Sequence, residues 1–295
     1  MFLGVDIMNK ICLSPNEVNR LKRYPTGKIM STESRLYYYK QLDSNFLLLK
    51  KFFKSRSGYF DRKIKTIDEI NNSEFSTIEE LVIPQDVVVV QGENIGLTVE
   101  EIPNCKNLGS ILNDSKIKVE KKIELLKKVG LLLKKTISSE QEFYISDLQP
   151  YNILIDEDEN IKVIDLDSSS TCSDDPIESY YLALDKKARV IDKYHIDESG
   201  KAYPDYDSDL LCYNYMILNT ISNNRIHRLS FEDYYNYLYY LASIGMNKDL
   251  IDSFNTLYSY KDNINPVEYL DNIDREALYR SNYNVYRLTK KKIIE

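Results

Sequence analysis

Two kinds of hydrophobic pattern divide the chain. Through residue 102 the apolar residues come in short aliphatic and aromatic runs, and beyond it they mostly recur at helical spacing. Residues 35–41 (RLYYYKQ) and 45–53 (NFLLLKKFF) are separated by Leu42-Asp43-Ser44, which predicts a β-hairpin. From 62 to 81, Ile64, Ile67, Ile70, Phe75 and Ile78 are spaced for one face of a helix. Residues 86–90 (DVVVV), a turn at Gln91-Gly92-Glu93-Asn94 and residues 95–102 predict a second hairpin. After Pro103-Asn104, a helix over 119–137 places Val119, Ile123, Leu126, Val129, Leu133 and Ile137 on one face. A further hairpin is predicted over 152–165, and from residue 209 onward the pattern is mostly helical. The layout is α+β and two-lobed. A β-rich front with one main helix, residues 1–102, joins at 101–106 to a mostly helical back, residues 103–295.

Composition narrows the class. At 295 residues, with 43% hydrophobic and 29% charged side chains, the chain can bury a core without a disulfide or metal staple. Its net charge of −7 argues against bulk binding to phosphate backbones, so no nucleic-acid partner is expected. The lysines of the long helix (Lys121, Lys122, Lys127, Lys128, Lys134 and Lys135) read as a solvated face. Cys12, Cys105, Cys172 and Cys212 lie far apart with no CxxC, as reduced thiols of a cytoplasmic protein would. No apolar run reaches the ~18 residues of a membrane span, and MFLGVDIMNK lacks a basic segment before an apolar one. Neither membrane insertion nor secretion is expected. Twenty-five tyrosines and no tryptophan suggest a bias in coding composition. The Tyr234, Tyr235, Tyr237, Tyr239 and Tyr240 stripe then reads as a half-buried helix face. His195 and His227 have no partner at metal-ligand spacing and receive no role.

The chemistry concentrates in residues 145–167, ISDLQPYNILIDEDENIKVIDLD. Two apolar runs, 152–156 and 161–165, flank the polar turn Glu157-Asp158-Glu159-Asn160. Paired as an antiparallel hairpin, they set Asp156 across from Ile161 and Asn152 across from Asp165 at the open end. Asp147 precedes Asn152 by five residues, in a loop stiffened by Pro150. Two adjacent oxygen ligands with a free carboxylate nearby suit magnesium and a hydroxyl nucleophile.

These residues resemble the protein-kinase-like superfamily, in a divergent form of the Ser/Thr protein-kinase type. Asp147-Leu-Gln-Pro-Tyr-Asn152 is similar to its D-x-x-x-x-N loop, and Asp165-Leu166-Asp167 stands where it has D-F-G. Leu47-Leu48-Leu49-Lys50 resembles the strand whose Lys holds the α- and β-phosphates; Lys51 is the alternative. Glu74 lies where the family places the helix Glu that pairs with that Lys, with Glu69, Glu79 and Glu80 as rivals. Pro84-Gln85-Asp86-Val87-Val88 is similar to the strand entry that follows. Residues 99–103 resemble the hinge that receives adenine, which implicates Glu100 and Ile102. Residues 208–213 resemble the start of a helix from which Asp209 braces the catalytic loop, although Asp209 could also simply cap that helix. The likeness spans roughly residues 25–270.

The resemblance implies an ATP- and Mg2+-dependent kinase with a protein or small-molecule hydroxyl acceptor. Asp147 would be the base, Lys50 the phosphate-holding cation steadied by Glu74, and Asn152 and Asp165 the metal ligands. There are departures. The phosphate-covering loop has one glycine, Gly27; the usual H-R-D reads Ile145-Ser146-Asp147; Gln149 stands where Ser/Thr enzymes have Lys; and Asp167 replaces a Gly. They make a pseudokinase or scaffold the first rival. A small-molecule phosphotransferase of the aminoglycoside- or choline-kinase type is the second.

Overall fold

The short runs of the front half form one mixed sheet: β1 (Asn9–Leu13), β2 (Ser34–Gln41), β3 (Phe46–Phe52), β4 (Asp86–Val90) and β5 (Glu93–Glu100). In the computed structural model, which describes residues 8–25, 33–53, 60–172, 180–198 and 201–281, the strand order is β1-β4-β5-β3-β2. β1 runs parallel to β4 and the other neighbours are antiparallel. Both predicted hairpins form. The second has a tighter turn than its sequence suggests: Gln91 (φ 52°) and Gly92 (φ 83°) reverse the chain alone, and Glu93 already belongs to β5. Left-handed backbone at both loop positions matches the twist of the flanking strands. β1 is short and mostly exposed, and its pattern gives no warning of a strand. Residues 22–24 pair against β2, with Tyr24 N–H donating to Leu36 O and Tyr38 N–H to Lys22 O, both at 2.9 Å.

The helix expected over 62–81 is two pieces. α1 (Pro15–Arg20) precedes β2, and α2 (Phe60–Asn71) buries Phe60, Ile67 and Ile70, with the Phe60 ring 4.9 Å from that of Phe52 on β3. The chain then breaks at Ser73, whose hydroxyl accepts the Phe75 N–H and starts a 3-10 turn at Glu74–Thr77. That turn lets Phe75 pack on Phe143, ring centroids 4.7 Å apart.

The back half holds α3 (Leu108–Asn113), α4 (Val119–Ile137), α5 (Tyr180–Leu184), α6 (Tyr206–Ser222), α7 (Phe231–Ser243), α8 (Lys248–Asn255) and α9 (Arg275–Ser281). α6 is apolar almost all round and runs through the core against α4, where the Tyr213 hydroxyl donates to Leu126 O at 2.9 Å. The α4 lysines engage neighbouring acids and carbonyls: Lys127 pairs with Asp271, Lys134 with Glu268 and Lys135 with Glu80, while Lys122 donates to Leu112 O. On α7, Tyr234 and Tyr237 are buried with their hydroxyls on carbonyls, while Tyr239 is 75% exposed; the stripe is a half-buried face. All four cysteines are reduced thiols. Among the described residues no helix is long and apolar enough to cross a membrane.

A small sheet, β6 (Lys106–Asn107), β7 (Ile153–Ile155) and β8 (Ile161–Val163), lies between the halves. Its β8 edge is joined to the front half by Val82 N–H to Val163 O (2.9 Å) and Val163 N–H to Glu80 O (2.7 Å). The segment after β8 is thereby set against β3 and α2, while the β7–β8 loop lies against α4, whose Lys121 and Lys128 reach Glu159.

Candidate active site

The loop that carries Asp147 is held from below. Asp205 caps α6 through the Ser208 N–H (2.6 Å), so Asp209 is not the cap. Its two carboxylate oxygens instead accept the N–H groups of Ile145 and Ser146, each at 2.8 Å. Ser146 sits in left-handed backbone (φ 66°), a conformation held by this bidentate grip. Burial pushes the Asp209 carboxyl up to about 7, although the two N–H donors pull the other way.

Above that grip the loop folds on itself. Pro150 opens a 3-10 turn, Pro150–Asn152, with the Asn152 N–H on Gln149 O at 2.9 Å. The Asn152 amide donates to Asp147 Oδ2 (2.9 Å) and to the Asp147 carbonyl (3.1 Å), and Gln149 Nε2 donates to the same Oδ2 at 2.9 Å. Among the described residues, Oδ1 of Asp147 accepts no hydrogen bond. Burial raises the Asp147 pKa above its ordinary value, and the Asp165 charge adds to that; the two amide donors oppose it.

The β7–β8 register differs from the one anticipated. Ile153 faces Val163 and Ile155 faces Ile161, so Asp156 stands across from Asn160 and not Ile161. Asn152 therefore faces Ile164, whose N–H it receives at 2.9 Å, and Asp165 lies one residue beyond the pair. The cause is a turn one residue shorter than predicted, closed by Asp156 N–H to Asn160 O with Glu159 left-handed (φ 62°). Asp165 then leaves the strand in left-handed backbone (φ 69°), entering the 3-10 turn Leu166–Ser168. That turn aims its carboxylate at β3.

There it meets Lys50, whose Nζ pairs with both Asp165 and Asp167. Lys50 is buried on β3, with its Nζ 5.4 Å from the Phe52 ring centre. Lys51, the alternative, is half-buried and points to the other face of the strand. Position 96 sets how closely β5 approaches Lys50: a Cβ there would lie 2.4 Å from the Lys50 carbonyl oxygen, so only glycine fits. Burial alone would lower the Lys50 pKa, but the two carboxylates outweigh it and hold it above its ordinary value. Asp167 is 3% exposed. Burial raises its pKa, yet Lys50 and Lys63 prevail and keep the carboxyl well below the usual range.

Lys63 and Asp167 were not among the site residues expected from sequence. Lys63 Nζ contacts Asp167 Oδ2 at 2.9 Å, Ser168 Oγ at 3.3 Å and Glu33 at 3.3 Å. One signal could have found it: the buried face of α2 reads Phe60, Lys63, Ile67, Ile70, which puts a lysine in the apolar register.

Glu74 does not hold Lys50. It is exposed on the 3-10 turn and receives the Ser139 hydroxyl. The break at Ser73 ends α2 before Glu74 and turns it away from β3. Two of its rivals are engaged elsewhere: Glu69 receives the Thr171 hydroxyl and Glu80 pairs with Lys135. At the proposed hinge, Glu100 is exposed and accepts Asn45 Nδ2 at 2.8 Å. Glu101 N–H closes the ladder on Phe46 O (2.8 Å), and Ile102 is the first residue past it, half-buried. Gly27 lies outside the described residues.

Among the described residues no three His, Cys, Asp or Glu side chains are arranged to hold a metal ion. Magnesium, however, is commonly held by one or two protein oxygens plus substrate phosphates and water. Asn152 spends its amide NH2 on Asp147, which leaves its oxygen for a cation, and Asp165 supplies a carboxylate. The donor set fits magnesium. The sequence matches no protein-family model and no curated protein.

Proposed function

We propose that the chain is a two-lobed, protein-kinase-like phosphotransferase that uses ATP and magnesium and transfers the γ-phosphate to Ser or Thr hydroxyls of proteins. Residues 1–102 form its N-lobe and 103–295 its C-lobe. One observation carries this above the rest: Lys50 on β3 and Asp147, Asn152 and Asp165, from the loop and hairpin about a hundred residues later, lie in one continuous electrostatic site. Asp147 bonds Asn152, Asp165 pairs with Lys50, and the Asp165 charge is felt at Asp147.

Asp147 would orient the acceptor hydroxyl and take its proton on Oδ1, because Oδ2 is committed to Asn152 and Gln149. Lys50 would hold the α- and β-phosphates. Asn152 and Asp165 would hold magnesium, which when bound draws negative charge from the β- and γ-phosphates. Glu100 and Ile102 would offer backbone to the adenine, and Gly27 would contribute to phosphate binding. The protein contributes position and fixed charge and makes no covalent bond.

The Lys50–Asp165 pair itself favours a second reading. A metal ligand already neutralised by the phosphate-binding lysine suits a nucleotide-sensing scaffold with little transfer. Incubation with γ-labelled ATP, magnesium and a generic protein acceptor separates the two, with Asp165→Asn as control. Label on protein that is lost in Asp165→Asn supports the kinase. Magnesium-dependent ATP stabilisation in a thermal-shift assay without label leaves the scaffold and the small-molecule phosphotransferase standing. Neither signal would reject both.

A further inference from the structure

α2 presents a lysine toward the site, and the buried acid comes from the loop after β8. Asp167 divides its carboxylate between the two lysines, Oδ1 to Lys50 and Oδ2 to Lys63. Both ammonium groups also stand over the same ring: Lys50 Nζ is 5.4 Å and Lys63 Nζ 5.5 Å from the Phe52 centre. The Asp167 side chain is 1% exposed and the two lysine side chains 11% and 10%, so water contributes little to holding these charges. Lys63 also reaches Ser168, and six residues further along α2 Glu69 receives the Thr171 hydroxyl. α2 is thus fastened to the 167–171 segment at two points, and Lys50 is held from that segment.

We propose that Lys63 is a positioning residue. By anchoring one oxygen of Asp167, it fixes the other oxygen against Lys50 and so sets where the phosphate-binding ammonium stands. Asp167 gives Lys50 a second carboxylate, which keeps the lysine in place when Asp165 turns to a cation. This rests on the nucleotide-binding role proposed above. Lys63 does not touch the nucleotide in this arrangement; it acts through Asp167.

The test measures affinity for Mg-ATP, and for ATP with EDTA, by direct titration, together with the melting temperature. It compares the full chain with Lys63→Met, Lys63→Arg, Asp167→Asn and the Lys63→Met/Asp167→Asn double variant. Lys63→Met should weaken Mg-ATP binding about tenfold, and Lys63→Arg should restore it to within about twofold. The double variant should bind no worse than Asp167→Asn alone, because both changes break one chain of contacts. Additive losses would overturn the proposal in favour of direct phosphate contact by Lys63. A fall in melting temperature with unchanged affinity would overturn it in favour of a structural ion pair. If Lys63→Met does not fold, Lys63→Gln, which removes the charge that anchors Asp167 while keeping a polar end, supplies the comparison. Binding in the unsubstituted chain with equal binding by Lys63→Met would defeat this proposal and leave the nucleotide site standing. Absence of binding in the unsubstituted chain would defeat both.

Discussion

Single side chains in the site carry opposite electrostatic loads. Asp147 and Asp209 are both pushed toward the neutral form by burial, but only Asp147 keeps an oxygen without an internal donor. Asp147→Asn should therefore lower any phosphate transfer about a hundredfold or more while leaving ATP affinity nearly unchanged, which single-turnover and binding measurements separate. The transfer rate should rise with pH along a limb shifted upward from that of an ordinary carboxylate, because burial raises the folded Asp147 pKa. Asp209→Asn behaves differently. An amide can accept only one of the two N–H groups from Ile145 and Ser146, and its NH2 would face the other. With one buried donor unpaired, the variant should lose about 1–3 kcal/mol in urea unfolding at pH 8, and the loop that presents Asp147 should loosen with it.

At the scale of elements, most of the secondary structure is legible in the sequence, because periodicity reports which face of a local segment is buried. α4 begins and ends where its apolar spacing predicts, and both front hairpins form at their turn residues. Misreadings occur where one residue of turn geometry decides. The helix expected to reach 81 stops at Asn71 because Ser73 offers the backbone a competing hydroxyl, and Glu74 is lost from the site. The β7–β8 turn is one residue shorter than anticipated, and Asp165 shifts past Asn152. β5 illustrates how tightly an element can be specified. Gly96→Ala would press a Cβ onto the Lys50 carbonyl and Leu49 Cδ1, 2.4 and 2.8 Å away. A loss of about 1–3 kcal/mol is expected, with weaker ATP binding as Lys50 shifts; thermal melts and titration would show it.

Across the whole molecule, the buried carboxyls set a pH profile for stability. Asp209 titrates at 3.8 unfolded and at about 7 folded, so between those values the native state holds a proton that the unfolded chain has released. Stability should fall as pH rises through that window, by up to about 4 kcal/mol, and then level off. The raised pKa values of Asp147 and Asp205 act in the same direction. Asp167 acts in the opposite sense: its depressed folded pKa gives stability present above its ordinary unfolded value and lost as pH falls below it. Urea midpoints across pH should therefore peak near the upper end of the carboxylate range and decline toward neutrality. A flat profile between about pH 4 and 7 would show that Asp209 remains ionised in the fold.

Local chemistry alone determined the α+β order of elements, the apolar face of α4, and the separation of Asp147 and Asn152 on one loop. Each of these depends on residues close in sequence, where sterics, periodicity and backbone hydrogen bonding act directly. The partner of Lys50 depends on tertiary structure. Asp165 and Asp167 are distant from it in the chain, and a buried lysine takes whichever carboxylates the packing brings within reach. Ion pairs are long-range choices made after the backbone has folded, and a one-residue change in a turn is enough to exchange one acid for another.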